Sequence, residues 1–150
     1  MSISKVSGET IIATFGGGYA LQGSLATEYF TPSGSTTYYG GDAVGTIAST
    51  TQGSRRIYIP KTGTIKSCYG FFVQAGPQAT SSVGTLYINV NSGIHTNTTI
   101  SQQTHLTTTS LYSNTSLSIA VTQGDYIEFK WTSPSSVPIR ILTEFVIYIE

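Results

Sequence analysis

A chain of 150 residues carrying seven Lys plus Arg against seven Asp plus Glu has a formal net charge of zero, so no global attraction to phosphate backbones or anionic membranes is expected. Nucleic acid and membrane insertion are excluded as expectations, and no run reaches the ~18–20 consecutive apolar residues of a spanning segment. Only 9% of the residues are charged, against about 25% in an ordinary domain, which leaves Ser, Thr, Asn, Gln and Tyr to keep the surface hydrated and suits a protein that assembles or binds.

The opening "MSISKVSGETIIATFGGG" shows no apolar core followed by a small-residue cleavage site, so synthesis in a cytoplasm without a secretory signal is expected. From 16 to 41 glycines and tyrosines stand among small polar residues with little alternation. Residues 1–40 are accordingly expected to form an extended or loop-rich N-terminal arm, with residues 41–150 as the folded domain. Ordering such a segment costs ~1–2 kcal/mol per residue of backbone entropy. Contact with a neighbour through Tyr29, Phe30, Tyr38 and Tyr39 would offset it, which makes these four the candidate docking residues.

Helical periodicity is nearly absent from the remainder, and short runs of β-branched and aromatic residues alternate with polar ones. "RRIYIP" alternates, "PKTG" reads as a turn, and "TIKSCYGFFV" is the returning strand, which carries the single cysteine, Cys68, as a buried structural residue. "GTLYINVNSG" sets Leu86, Ile88 and Val90 on one face and Tyr87, Asn89 and Asn91 on the other. The polar stretch from Thr96 reads as weak strands or loops. "LSIAVTQGDYIEFKW" reads as a hairpin with Leu117, Ile119, Val121, Ile127, Phe129 and Trp131 inward and Tyr126, Glu128 and Lys130 outward. In "IRILTEFVIYIE" both faces are apolar from 145 to 148, as in a central strand or a subunit interface; Phe145, Ile147 and Tyr148 are the candidate interface residues. The whole predicts an all-β chain, a single jelly-roll or β-sandwich domain.

Constellations that carry catalysis are not prominent. Asp125 and Glu128 stand on opposite faces of a strand, with Asp125 in a turn position. His95 and His105 are isolated, "GGG" at 16–18 is not followed by a phosphate-loop helix, and no "GxSxG" occurs, so no catalytic, metal or cofactor site is expected. The "NTT" at Asn97 and "NTS" at Asn114 match the glycosylation pattern, as chance alone provides in a chain this rich in Thr and Ser. The ten tyrosines have two readings. They can furnish subunit contacts, or their faces can stack on sugar rings, in which case Tyr69, Tyr87 and Tyr112, with Tyr38 and Tyr39, are the candidates.

"YIPKTGTIKSCYGFFV" and "VTQGDYIEFKW" resemble the trimeric jelly rolls of the complement and tumour-necrosis-factor-like superfamily. "STTYYGGDAV", "RRIYIPKTGT", "VTQGDYIEFKW" and "VIYIE" are similar to small virion-surface and fibre-head proteins of tailed phages and other viruses, a resemblance that covers most of 35–150. It implies a non-enzymatic virion structural protein made in the host cytoplasm, a homotrimer that decorates or cements a capsid. The alternative it implies is a receptor- or glycan-binding head module of a tail fibre or surface appendage.

Overall fold

Alternation of apolar and polar residues is realised as strands throughout the computed structural model, which describes residues 4–6, 9–15, 17–42, 48–75, 83–91, 93, 96–103, 109–133, 135 and 140–150. Among these residues the regular elements are β1 (Ser4–Val6), β2 (Glu9–Phe15), β3 (Gly18–Phe30), β4 (Thr37–Gly40), β5 (Ile57–Tyr58), β6 (Gly63–Ala75), β7 (Val83–Val90), β8 (Thr96–Gln103), β9 (Thr109–Asn114), β10 (Ile119–Val121), β11 (Tyr126–Thr132) and β12 (Arg140–Ile149). They form two antiparallel sheets. A seven-stranded sheet runs β1-β2-β3-β12-β6-β10, with β9 also on β6, and a five-stranded sheet runs β4-β11-β7-β8, with β5 also on β11. The chain is an all-β sandwich, as its patterning predicts.

The core lies between the sheets. Leu21, Leu25, Cys68, Phe72, Phe145 and Ile147 point in from the larger sheet and meet Leu86, Ile88, Ile127, Phe129 and Trp131 from the smaller, all at most 1% exposed. Each such side chain contributes roughly 1.5–3 kcal/mol by leaving water. Phe145 has a glycine opposite it on both neighbouring strands, Gly23 on β3 and Gly70 on β6. A Cβ at Gly70 would stand 2.5 Å from the Phe145 ring, and one at Gly23 would stand 2.7 Å from Phe129, so neither position has room for a side chain.

Three expectations change. The first concerns residues 1–40, which are no separate arm where the structure describes them: β3 pairs with β12 over most of its length and β4 pairs with β11. Phe30 and Tyr38 are core residues at 7% exposure, with Tyr38 stacked 6.0 Å from Trp131 and Phe30 edge-on to Tyr38 at 5.2 Å. Of the four proposed docking residues only Tyr29 and Tyr39 point outward. The second concerns Phe145 and Ile147, which are fully buried inside the domain and therefore cannot form a subunit interface; Tyr148, on the opposite face of the strand, is half-buried.

The third is topological. The turns at 60–63 and 122–125 do not close hairpins but carry the chain from one sheet to the other, since β5 pairs with β11 while β6 pairs with β12 and β10. The two crossings lie together. Ile59 donates to Asp125 O (2.7 Å), Gly124 donates to Ile59 O (2.9 Å), and Gln123 donates to Thr62 Oγ1 (2.9 Å).

With β3 and β4 in the sheets, deletion of residues 1–40 removes the neighbour of the central strand β12 along with Leu21, Leu25, Phe30 and Tyr38. The truncated chain is expected to show no cooperative thermal transition by circular dichroism, and a preserved transition would restore the arm reading.

Candidate functional site

The sandwich presents two outer faces; of the tyrosines singled out from the sequence, Tyr38 is in the core, Tyr69 stands on one face, and Tyr39 and Tyr87 stand on the other. On the seven-stranded sheet, alternation along β6 turns Cys68 and Phe72 inward and Tyr69 and Phe71 outward. The ladder to β12 sets Val146 beside Tyr69 and Glu144 beside Phe71. Tyr69 is 48% exposed, a large aromatic standing out of a central strand. Tyr69, Gly70, Phe71, Glu144 and Val146 line a recess of about 200 Å³, apolar apart from the carboxylate. On β3, Gln22 stands in register with Val146, and its Nε2 donates to Glu144 Oε1 at 2.9 Å. The result is an aromatic wall, an apolar floor and a carboxylate–amide pair at one rim.

The recess presents ring faces that can stack on C–H surfaces, and at its rim a pair of hydrogen-bonding groups spanning β12 and β3. No family model, curated protein or solved structure matches this chain.

The outer face of the five-stranded sheet is built differently. Residues 49–56 lie across it, tied at one end by paired bonds between Tyr39 and Ser49 (2.7 and 3.1 Å). In the middle, Gly53 N donates to Glu128 Oε2 at 2.8 Å, and Asn89 Nδ2 donates to Oε1. Glu128 faces outward as its position in the strand predicts, yet it is fully covered, and its role there is to anchor this segment. Arg56 closes the segment by donating from Nε to Gly53 O at 2.9 Å, with its guanidinium 4.4 Å above the Tyr126 ring. The cationic pair at 55–56 thus includes one residue that fastens the chain over a buried carboxylate. Burial, followed by the charge of Glu128, raises the pKa of Tyr39 above the usual tyrosine value.

Tyr87 lies on this second face with Lys130 Nζ 5.0 Å from its ring. Tyr69 and Tyr87 are therefore separated by the full thickness of the core and cannot share one ligand. Tyr112 stands opposite Gly70 in β9, its side chain outside the described residues. His95 and His105 also fall outside them. Cys68 is fully buried, and burial pushes its thiol pKa up to about 12, so it is a packing residue without thiolate character at neutral pH. Reasoning from the sequence missed Phe71, Glu144, Val146 and Gln22. The first three were recoverable, since alternation about Phe145 places Glu144 and Val146 outward. Gln22 was not, because its partner is 122 residues away.

Asp125 is held in its turn by Asn91 Nδ2 (2.7 Å) and by the backbone N–H of Thr122 (2.7 Å). These bonds lower its pKa below the usual 3.8, the Asn91 bond contributing most. A carboxylate depressed in the folded state adds stability that is fully present above its unfolded pKa and is lost as pH falls through the folded value. Urea midpoints of Asp125→Asn and the parent chain are expected to differ most above about pH 5 and to converge as the pH drops below 3.8. A gap that stays constant to pH 2 would remove the ionised Asp125 from the account of the turn.

Proposed function

We propose that this chain is a non-enzymatic virion-surface protein that binds a cell-surface glycan, the head module of a tail fibre or surface appendage. The observation that carries this reading is the recess beside Tyr69, where an exposed aromatic on a central strand, a second ring and a carboxylate meet, with the Gln22 amide bonded to that carboxylate at the rim. Pockets for drug-sized molecules occupy roughly 300–1,000 Å³; about 200 Å³ suits one ring. The low and balanced charge adds support, because a polar surface of zero net charge responds little to the ionic medium in which a particle meets its host. The resemblance of the strand and turn motifs to phage fibre-head proteins points the same way.

The docking arm that favoured a capsid-cement role has lost Phe30 and Tyr38 to the core. A homotrimeric decoration protein stays as the second reading on a different observation. Val146 and Tyr148 on the outward side of β12 continue the apolar strip of Tyr69 and Phe71, a surface on which copies of a neutral chain can associate. Sedimentation at micromolar concentration is expected to show a trimer if that reading holds, and a monomer removes it.

On a panel of immobilised glycans the protein is expected to retain at least one class, and Tyr69→Ala to weaken retention about tenfold. That figure is the upper end of what a stacked aromatic face contributes, roughly 0.5–1.5 kcal/mol beyond its buried area or about two- to tenfold in affinity. Because Tyr69 is half-exposed, the variant should keep the parent thermal transition. Unchanged retention in a folded Tyr69→Ala would locate binding elsewhere.

A further inference from the structure

We infer that the recess takes a single uncharged hexopyranose through two adjacent hydroxyls held by Glu144 and Gln22, and that it discriminates against sialic and uronic acids. This rests on the glycan-binding reading above and adds the ligand's charge class and the atoms that select it.

The argument starts from the rim. Among the described residues that line the recess Glu144 alone is charged, and it is exposed on β12 on the same face as Val146. One of its oxygens accepts from Gln22 Nε2 at 2.9 Å. That bond employs one lone-pair direction of a carboxylate that has about four, and one of the two N–H groups of the amide. Oε2 of Glu144, Oε1 of Gln22 and the second amide N–H are the groups with capacity to spare. A carboxylate side by side with an amide matches a pair of neighbouring hydroxyls, one donating to the carboxylate while the other exchanges donor and acceptor roles with the amide. Bonds to the carboxylate are charge-assisted and therefore the stronger members of the set.

The walls determine how the ring lies. With Tyr69 and Phe71 projecting from β6, Val146 beside Tyr69 and Glu144 beside Phe71 on β12, a pyranose can place its C–H face on Tyr69 and Val146 and its hydroxyl edge toward Glu144. The size of the recess, about 200 Å³, suits one such ring.

Charge then sorts the candidates. A sugar carboxylate near the rim would stand beside Glu144, and like charges in contact are a recognised device for excluding wrong partners. Neutral hexoses and N-acetylated amino sugars carry no such penalty. Gln22 supports this selection by holding the Glu144 carboxylate in one orientation across the β3–β12 ladder, where both residues are fixed by the strand register.

The test is a titration of the full-length, isotopically labelled chain followed by amide chemical shifts, with methyl galactoside, methyl glucoside and N-acetylglucosamine as neutral probes and glucuronic acid and N-acetylneuraminic acid as acidic ones. At least one neutral probe is expected to shift the amides of Tyr69, Phe71 and Val146 at millimolar concentration, with the acids about tenfold weaker or absent. In Glu144→Gln the neutral sugar should weaken several-fold while the acids gain, so that the ratio between the classes falls by about tenfold. Gln22→Ala should weaken the neutral sugar and leave the acids excluded, a second route to the same conclusion if Glu144→Gln folds poorly. Acids that bind the parent chain as well as neutral sugars do, or a class ratio unmoved in a folded Glu144→Gln, would overturn the charge selection while leaving glycan binding intact. Shifts with none of the five probes would overturn both the selection and the reading on which it rests.

Discussion

The contact between Phe129 and Phe145, whose ring centroids are 4.5 Å apart, is the tightest ring contact between the two sheets among the described residues, and much of the remaining structure follows from accommodating it. From Phe145 the ring contacts continue to Phe72, then to Trp131, Tyr38 and Phe30, each step between 5.2 and 6.0 Å. This row passes between the sheets twice and uses strands from both ends of the chain. A row of large rings along the midline needs compensating space, which Gly23 and Gly70 provide on either side of Phe145. Close packing leaves no alternative, because a single added methyl group at either position meets ring carbons well inside contact distance.

That requirement reaches the outer surface. Gly70 must face inward beneath Phe145, so Tyr69 and Phe71, the residues on either side of it, must face outward, and the ladder with β12 then brings Val146 and Glu144 beside them. The recess is the reverse side of the core's solution to packing Phe145. A slip of one residue in β6 would bury Tyr69, expose Phe72 and abolish both the core contact and the recess. Fold and candidate site therefore share one constraint, the register of β6 on β12.

Strand patterning was largely legible in the sequence because a strand buried on one face must alternate, and the inward residues from Leu86 to Trp131 were read from that alone. Pairing was less so. A turn rich in Gly and Asp reverses the chain equally well within one sheet or between two, and only the burial of both flanking strands on facing inner surfaces determines which occurs here. The first third was misread for a physical reason. Glycine in a sequence suggests backbone freedom, whereas Gly23 and Gly40 are places of close approach: a Cβ at Gly40 would lie 2.2 Å from Ser24 O and 2.4 Å from Leu25 Cα, where β4 crosses β3. Composition does not separate a glycine that gives flexibility from one that allows contact. In the site, Tyr69 was legible as an outward aromatic, but Gln22 acquires its role only through pairing with a strand at the far end of the chain.

The tyrosines show why an exposed ring on this fold is informative. Those that are buried find partners for their hydroxyls: Tyr38 accepts from Ser33 N at 2.6 Å, and Tyr19 donates to Lys61 O. Buried tyrosine is thus no obstacle to this chain. Tyr69 stands out because a central strand, paired on both sides over most of its length, holds it at 48% exposure rather than because no interior place could be made for it. A ring fixed in this way binds at low entropic cost, since its backbone is already ordered and only its own rotamers remain to be restricted. The same rigidity applies to Glu144 across the ladder. A surface of this kind presents pre-formed geometry rather than one that adapts, and that rigidity is what the proposed single-sugar site draws on.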